Sequence, residues 1–148
     1  MSQPPPVTTL LIARHGETAW NAQRRFQGHS DTDLSPVGLR QSRALAARLA
    51  AAAPDALYCS DLGRAVRTAE HLRELAGLEI RLEPDLRERA YGIFEGLTIQ
   101  DIQDRHPAEY ECFRSRDPDW AIPGGESTRA KHLSLIHISE PTRLLSIS

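Results

Sequence analysis

Seven residues near the start of the chain, 7–13 (VTTLLIA), do most to limit the folds open to it. The run is β-branched and leucine-rich, and it stops abruptly at the polar Arg14. A strand this short and apolar is one covered on both faces, the habit of parallel sheets flanked by helices. The rest of the chain keeps to that plan. The stretch 14–35, rich in Gly, Asn, Gln and Asp, reads as a loop. Ser35-Pro36 supplies an N-cap and a first-turn proline for a helix through LRQSRALAARLAAAA, with Pro54 just beyond its end. Residues 56–59 form a second short strand. Ser60-Asp61 is expected to cap a helix over 62–75, stopped by Gly77. A weaker third strand covers 78–82. Thr98 caps a helix from Ile99 to about Arg105, another helix spans roughly 108–115, and Ser127 opens one more. The alternation predicts an α/β fold, a three-layer α/β/α sandwich with a mostly parallel sheet, incomplete at the C-terminus. Ligands of such sheets sit beyond the carboxyl ends of the strands, where the loops after Ala13 and Cys59 would meet.

Composition narrows the partners. A chain of 148 residues is one domain's worth of polypeptide, and 40% apolar with 26% charged residues is ordinary globular usage. A net charge of -2 argues against a nucleic-acid coat. Lys131 is the one lysine among 18 basic residues, so positive charge is carried by Arg, the better grip for phosphate or carboxylate. Cys59 and Cys112 show neither metal nor disulfide spacing and read as small buried hydrophobes of a reducing, cytoplasmic protein. No secretory signal or membrane-spanning run is visible, and residues 1–6 (MSQPPP) read as a disordered lead-in. Neither GxxxxGK[ST] nor GxGxxG occurs, and no metal-ligand spacing stands out, so no cofactor or metal is expected.

The chemistry gathers at Arg14-His15-Gly16-Glu17-Thr18, directly after the first strand. A histidine at the carboxyl end of a buried strand, followed by Gly, faces the ligand crevice with close backbone access. Neutral imidazole attacks phosphorus well, and a phosphohistidine splits one hard displacement into two easier ones. Catalysis then consists mainly of positioning and neutralising phosphoryl charge, a task for guanidinium groups. Arg14 is adjacent, and Arg64, in the first turn of the helix after the second strand, could enter from the side, with that helix N-terminus adding its own pull on anions. An alkoxide leaving group needs a proton, for which an acid of raised pKa is expected. Glu88, in an Arg-rich loop, offers one.

The ordered set Ala13-Arg-His-Gly-Glu-Thr-Ala-Trp-Asn21, Gln27-Gly28, Asp33-Leu34-Ser35, Gly38, Ser60-Asp61-Leu62-Gly-Arg64-Ala65, Thr68-Ala69, Leu86-Arg-Glu88, Gly92-Ile-Phe-Glu-Gly96 and Pro123-Gly-Gly-Glu-Ser127 resembles the histidine phosphatase superfamily, which includes the cofactor-dependent phosphoglycerate mutases. The resemblance implies a metal-free phosphohistidine mechanism. His15 would be the nucleophile, Arg14 and Arg64 would hold the phosphate, and Glu88 would donate the proton. Gly16, Glu17, Thr18, Ala19, Trp20 and Asn21 would line the substrate pocket with Gln27 and Gly28. The stretch 27–31 resembles phosphatases more than glycolytic mutases, which usually carry Gly-Trp at Gly28-His29. The expected activity is hydrolysis of a small phosphorylated metabolite. The alternatives are mutase-type phosphoryl transfer and a catalytically dead phosphate-binding fragment. Glu95 and Glu126 are expected to be structural or pocket-edge groups.

The family pattern also implies a second catalytic His in a Ser-His-Gly segment downstream of Ser127. From Leu133 the chain instead contains no alanine, against 18 in the preceding 132 residues. In a single reading frame 133–148 resembles a translated sequencing-library adapter, so 7–132 reads as a partial domain and 133–148 as a non-native tail. His137 lies in that tail and His132 is too near Ser127, so neither is assigned. A chain lacking one pocket wall is expected to fold poorly, aggregate, or turn over weakly.

Overall fold

The computed structural model describes residues 7–139, with side chains placed as far as Ile136. The lead-in expected at 1–6 and the last nine residues of the adapter-like tail lie outside the described residues.

Local chemistry sets the helices. Within the expected loop, Thr18 opens a short helix α1 (Ala19–Ala22) through a capping box. Its hydroxyl accepts from the Asn21 amide at 3.2 Å, and Asn21 Oδ1 accepts from the Thr18 amide at 3.1 Å. Helix α2 (Pro36–Ala50) starts where the sequence placed it, with Ser35 Oγ accepting from Gly38 N at 3.0 Å. Strand β1 (Leu57–Cys59) leads into α3 (Gly63–Ala76), which Gly77 ends in the left-handed region at φ 68°. Strand β2 (Ile80–Leu82) runs parallel to β1, with Leu57 opposite Ile80 and Cys59 opposite Leu82. Helix α3 packs on both strands and on α2, burying Ala69 and Leu72 with Ala46 and Ser42 of α2. The α/β class and the parallel sheet therefore hold. Among the described residues the sheet has two strands.

A second apolar centre gathers residues of two further helices and the loops around them. Phe94, Ile102 and Ile122 are fully buried there, and Phe26, Tyr91, Leu97, Tyr110, Phe113 and Trp120 close around them. Phe26 meets Tyr91, Phe94 and Phe113 edge-on, with centroids 5.0–6.1 Å apart, the favoured geometry for aromatic pairs. The centre is built by α4 (Ile99–Arg105), opened by a Thr98–Asp101 capping box, and α5 (Pro107–Ser115). Helix α6 (Thr128–Ser139) follows, with Ser127 Oγ accepting from Ala130 N at 3.1 Å.

Three expectations need correction. The first strand does not form: 7–13 pairs with no other strand among the described residues, and Val7 and Ile12 are 89% and 91% exposed. Apolar β-branched residues mark what a segment can bury, but a strand exists only when a neighbour takes its N–H and C=O groups. Here β1 pairs with β2 instead. Second, Asp61 does not cap α3. It lies two residues before the first helical residue and binds Arg87 through both carboxylate oxygens. The N-cap residue is Leu62, which has no side-chain acceptor. Third, Cys112 is exposed, whereas Cys59 is half-buried. Burial, helped by Asp61, pushes the Cys59 thiol up to about 11, so it is an inert thiol at neutral pH.

Candidate active site

The loop after residue 13 reaches the N-terminal end of α3, and His15 and Arg64 meet there. The His15 imidazole is half-buried, with Nδ1 2.7 Å from the carbonyl of Gly16. A carbonyl can only accept, so this contact places the proton on Nδ1 and leaves a lone pair on Nε2. Arg64 Nε donates to that Nε2 at 3.2 Å. Burial lowers the His15 pKa below its ordinary 6.5. The Gly16 hydrogen bond opposes this, the charges of Arg64 and Arg14 reinforce it, and Glu88 acts weakly the other way. The ring is therefore neutral at pH 7, the form that attacks phosphorus.

Arg64 is 2% exposed, and every arm of its guanidinium is in use. Nη2 donates to Gly28 O at 2.6 Å, and Nη1 donates to Ser30 O at 3.0 Å and lies 3.4 Å from Asp31 Oδ1. Burial pulls its pKa below the usual value, while Asp31, then Glu88 and Glu95, support the charge. An arginine remains cationic under such conditions. Its helix also holds the loop. Thr68 Oγ1 accepts from Gly16 N at 3.0 Å and donates to Arg64 O at 2.8 Å, tying the backbone beside the imidazole to α3.

Of the residues expected at the site, Arg14, His15, Glu17 and Asn21 line one cleft of about 390 Å³. Arg14 is exposed and makes no hydrogen bond or ion pair among the described residues, so its charge is available to a ligand. Glu88 is exposed on its loop, close enough to act electrostatically on both His15 and Arg64. Ala19 is exposed, and Trp20 lies against Gly96, whose φ of 81° and missing side chain make room for the indole. Gly16, Thr18 and Gln27, also expected at the pocket, do not line the cleft. All three are buried, and Thr18 Oγ1 donates to Gln27 Oε1 at 3.0 Å while Gln27 Nε2 donates to Thr32 Oγ1 at 2.8 Å. Gly28 contributes its carbonyl to Arg64.

One residue at the cleft was not among those expected. Gln41, on the second turn of α2, lines the cleft and accepts from Glu17 N at 2.9 Å. Its polar position on an Ala- and Leu-rich helix was the one signal. Glu95, expected to be structural, organises a whole loop. It accepts from the amides of His29, Ser30 and Tyr91 and from the Ser30 hydroxyl. Burial pushes this carboxyl up, but those hydrogen bonds outweigh burial and hold it below the usual range.

The fold thus brings together a neutral imidazole with a fixed tautomer, a buried guanidinium on its Nε2 and a second, exposed guanidinium at the cleft. The chain belongs to the histidine phosphatase superfamily (branch 1), whose sequence pattern matches residues 10–132. It is 41% identical over 118 residues to phosphoglycerate mutase-like protein 4 of Arabidopsis thaliana, covering 78% of this chain and 51% of that protein. It is 42% identical over 121 residues to the metal-independent phosphoserine phosphatase of the same plant, covering 80% and 51%. The mycobacterial glucosyl-3-phosphoglycerate phosphatase, solved with VO3, superposes with a TM-score of 0.73 at 36% identity, covering 86% of this chain and 66% of that one. The chain spans about half the length of the curated relatives it matches.

Proposed function

We propose that the protein is a phosphomonoester hydrolase of small metabolites, with His15 as its nucleophile. The observation that carries this reading is the pair of contacts on one ring, Nδ1 to Gly16 O and Nε2 to Arg64 Nε. Together they aim a lone pair at the place where a phosphate would displace the guanidinium contact. In the first step Nε2 bonds to phosphorus as the ester P–O bond breaks. The bonding pair leaves with the alkoxide, which takes a proton from the Glu88 carboxyl and departs as the alcohol. In the second step the Glu88 carboxylate takes a proton from water, whose oxygen attacks phosphorus. The P–N bond breaks, and inorganic phosphate and neutral imidazole are released. Arg64 and Arg14 neutralise the phosphoryl oxygens throughout, acting where charge is fixed in a partly dry site.

The relatives include a phosphoserine phosphatase and a glucosyl-3-phosphoglycerate phosphatase, which supports hydrolysis of a small phosphorylated substrate. A relative named phosphoglycerate mutase-like favours a second reading, in which the phosphoryl group returns to product. Residues 7–13, which lead into His15, are exposed and pair with no strand among the described residues, so turnover by this chain alone is expected to be slow. The test is product analysis with phosphoserine and 3-phosphoglycerate. Free phosphate formed by the parent chain and lost on His15→Ala supports the hydrolase. Isomerised phosphoglycerate without free phosphate supports the mutase, and hydrolysis unchanged by His15→Ala overturns both.

A further inference from the structure

Arg64 does not hold itself in place. Its helix begins at Gly63, after Leu62, an N-cap residue with no side-chain acceptor, and such a start leaves amide donors to be satisfied from elsewhere. The acceptor comes from a residue 32 positions earlier. Asp31 Oδ2 accepts from Gly63 N, and Asp31 Oδ1 lies 3.3 Å from Arg64 N and 3.4 Å from Arg64 Nη1. One carboxylate therefore binds both the backbone that carries Arg64 and the guanidinium at the end of its side chain. The fit is close: a Cβ on Gly63 would stand 2.7 Å from Asp31 Oδ2. The same Nη1 also donates to the carbonyl of Ser30, and Nη2 donates to that of Gly28, both from the same loop as Asp31. That loop is in turn pinned by Glu95 through the amides of His29 and Ser30. Two carbonyls and a carboxylate thus leave Nε as the donor directed at His15.

We infer that Asp31 is a positioning residue for phosphoryl binding, setting the direction of the Arg64 guanidinium towards His15 rather than touching the substrate. This rests on the reading of His15 and Arg64 as the phosphate site. A carboxylate bound to a buried guanidinium both supplies counter-charge and fixes the plane of the fork, and an amide at the same position does neither fully.

The test is a double-mutant cycle read by calorimetric titration of orthovanadate into the 148-residue chain. Asp31→Asn should weaken vanadate binding about tenfold in the parent but less than about twofold in the Arg64→Ala background, because the two side chains act as one unit. Asp31→Ser keeps an oxygen able to cap the helix but cannot reach the guanidinium. It should match Asp31→Asn, with helical circular dichroism like the parent's. Equal losses in both backgrounds would show a general structural role and overturn the inference, as would parent-like binding by Asp31→Asn. Vanadate binding that depends on Arg64 but not on Asp31 leaves the phosphate site standing and removes the positioning role alone. A parent chain that binds no vanadate removes both.

Discussion

At the residue scale, the protonation state of His15 decides whether the site can work. Burial lowers its pKa below 6.5, and Arg64 and Arg14 add to the effect. The sign of the linkage follows. As pH falls below 6.5 the unfolded chain takes up a proton that the folded ring resists, so this residue's contribution to stability, complete above that pH, is progressively lost. The imidazole NMR titration of His15 should therefore have its midpoint below 6.5, and Arg64→Ala should move it upward by removing a nearby positive charge. A midpoint at or above 6.5 that Arg64→Ala does not shift would show that the two groups do not face each other. Arg64 was legible in the sequence because it lies in the first turn of α3, and Arg14 and His15 because they stand together in the 14–18 motif. Asp31 was not. Its role depends on a loop crossing to a helix 32 residues later, and no local pattern records that crossing.

At the scale of elements, the ends of helices were the most readable features, because a cap is a local bargain between neighbours. Ser35 with Pro36, Thr98, and Gly77 all act where the sequence placed them. Asp61 had the right residue type but found its partner in Arg87, 26 residues on. The short helix α1 was hidden inside a stretch whose Gly, Asn and Gln content reads as loop. The joint between that loop and α2 is a pair of glycines. Side chains at Gly16 or Gly38 would collide with the backbone opposite, the first with Gly38 O and the second with Glu17 O. Helix propensity alone says that Gly→Ala within α2 should stabilise by up to about 1 kcal/mol. The close approach says the reverse, and overpacking wins: Gly38→Ala should destabilise by roughly 1–3 kcal/mol in urea unfolding. A stabilised Gly38→Ala variant would mean that loop and helix do not touch.

At the scale of the whole molecule, alternating strands and helices and the ordered motifs made the α/β class and the superfamily readable before any coordinates. The first strand was read correctly as apolar but wrongly as paired, since pairing is a property of the neighbour and 7–13 has none among the described residues. What the fold does secure is the meeting of the loop after residue 13 with the start of α3, through Thr68, Arg64 and Asp31. Capture of a covalent phosphoryl group reads that meeting directly and needs no full turnover. After incubation with radiolabelled acetyl phosphate and an alkaline quench, peptide mass spectrometry should find an acid-labile phosphoryl group on His15. The label should be absent from His15→Ala and strongly reduced in Arg64→Ala. A folded chain that takes up no label, or one that keeps it after His15→Ala, would contradict the assignment of this imidazole as the nucleophile.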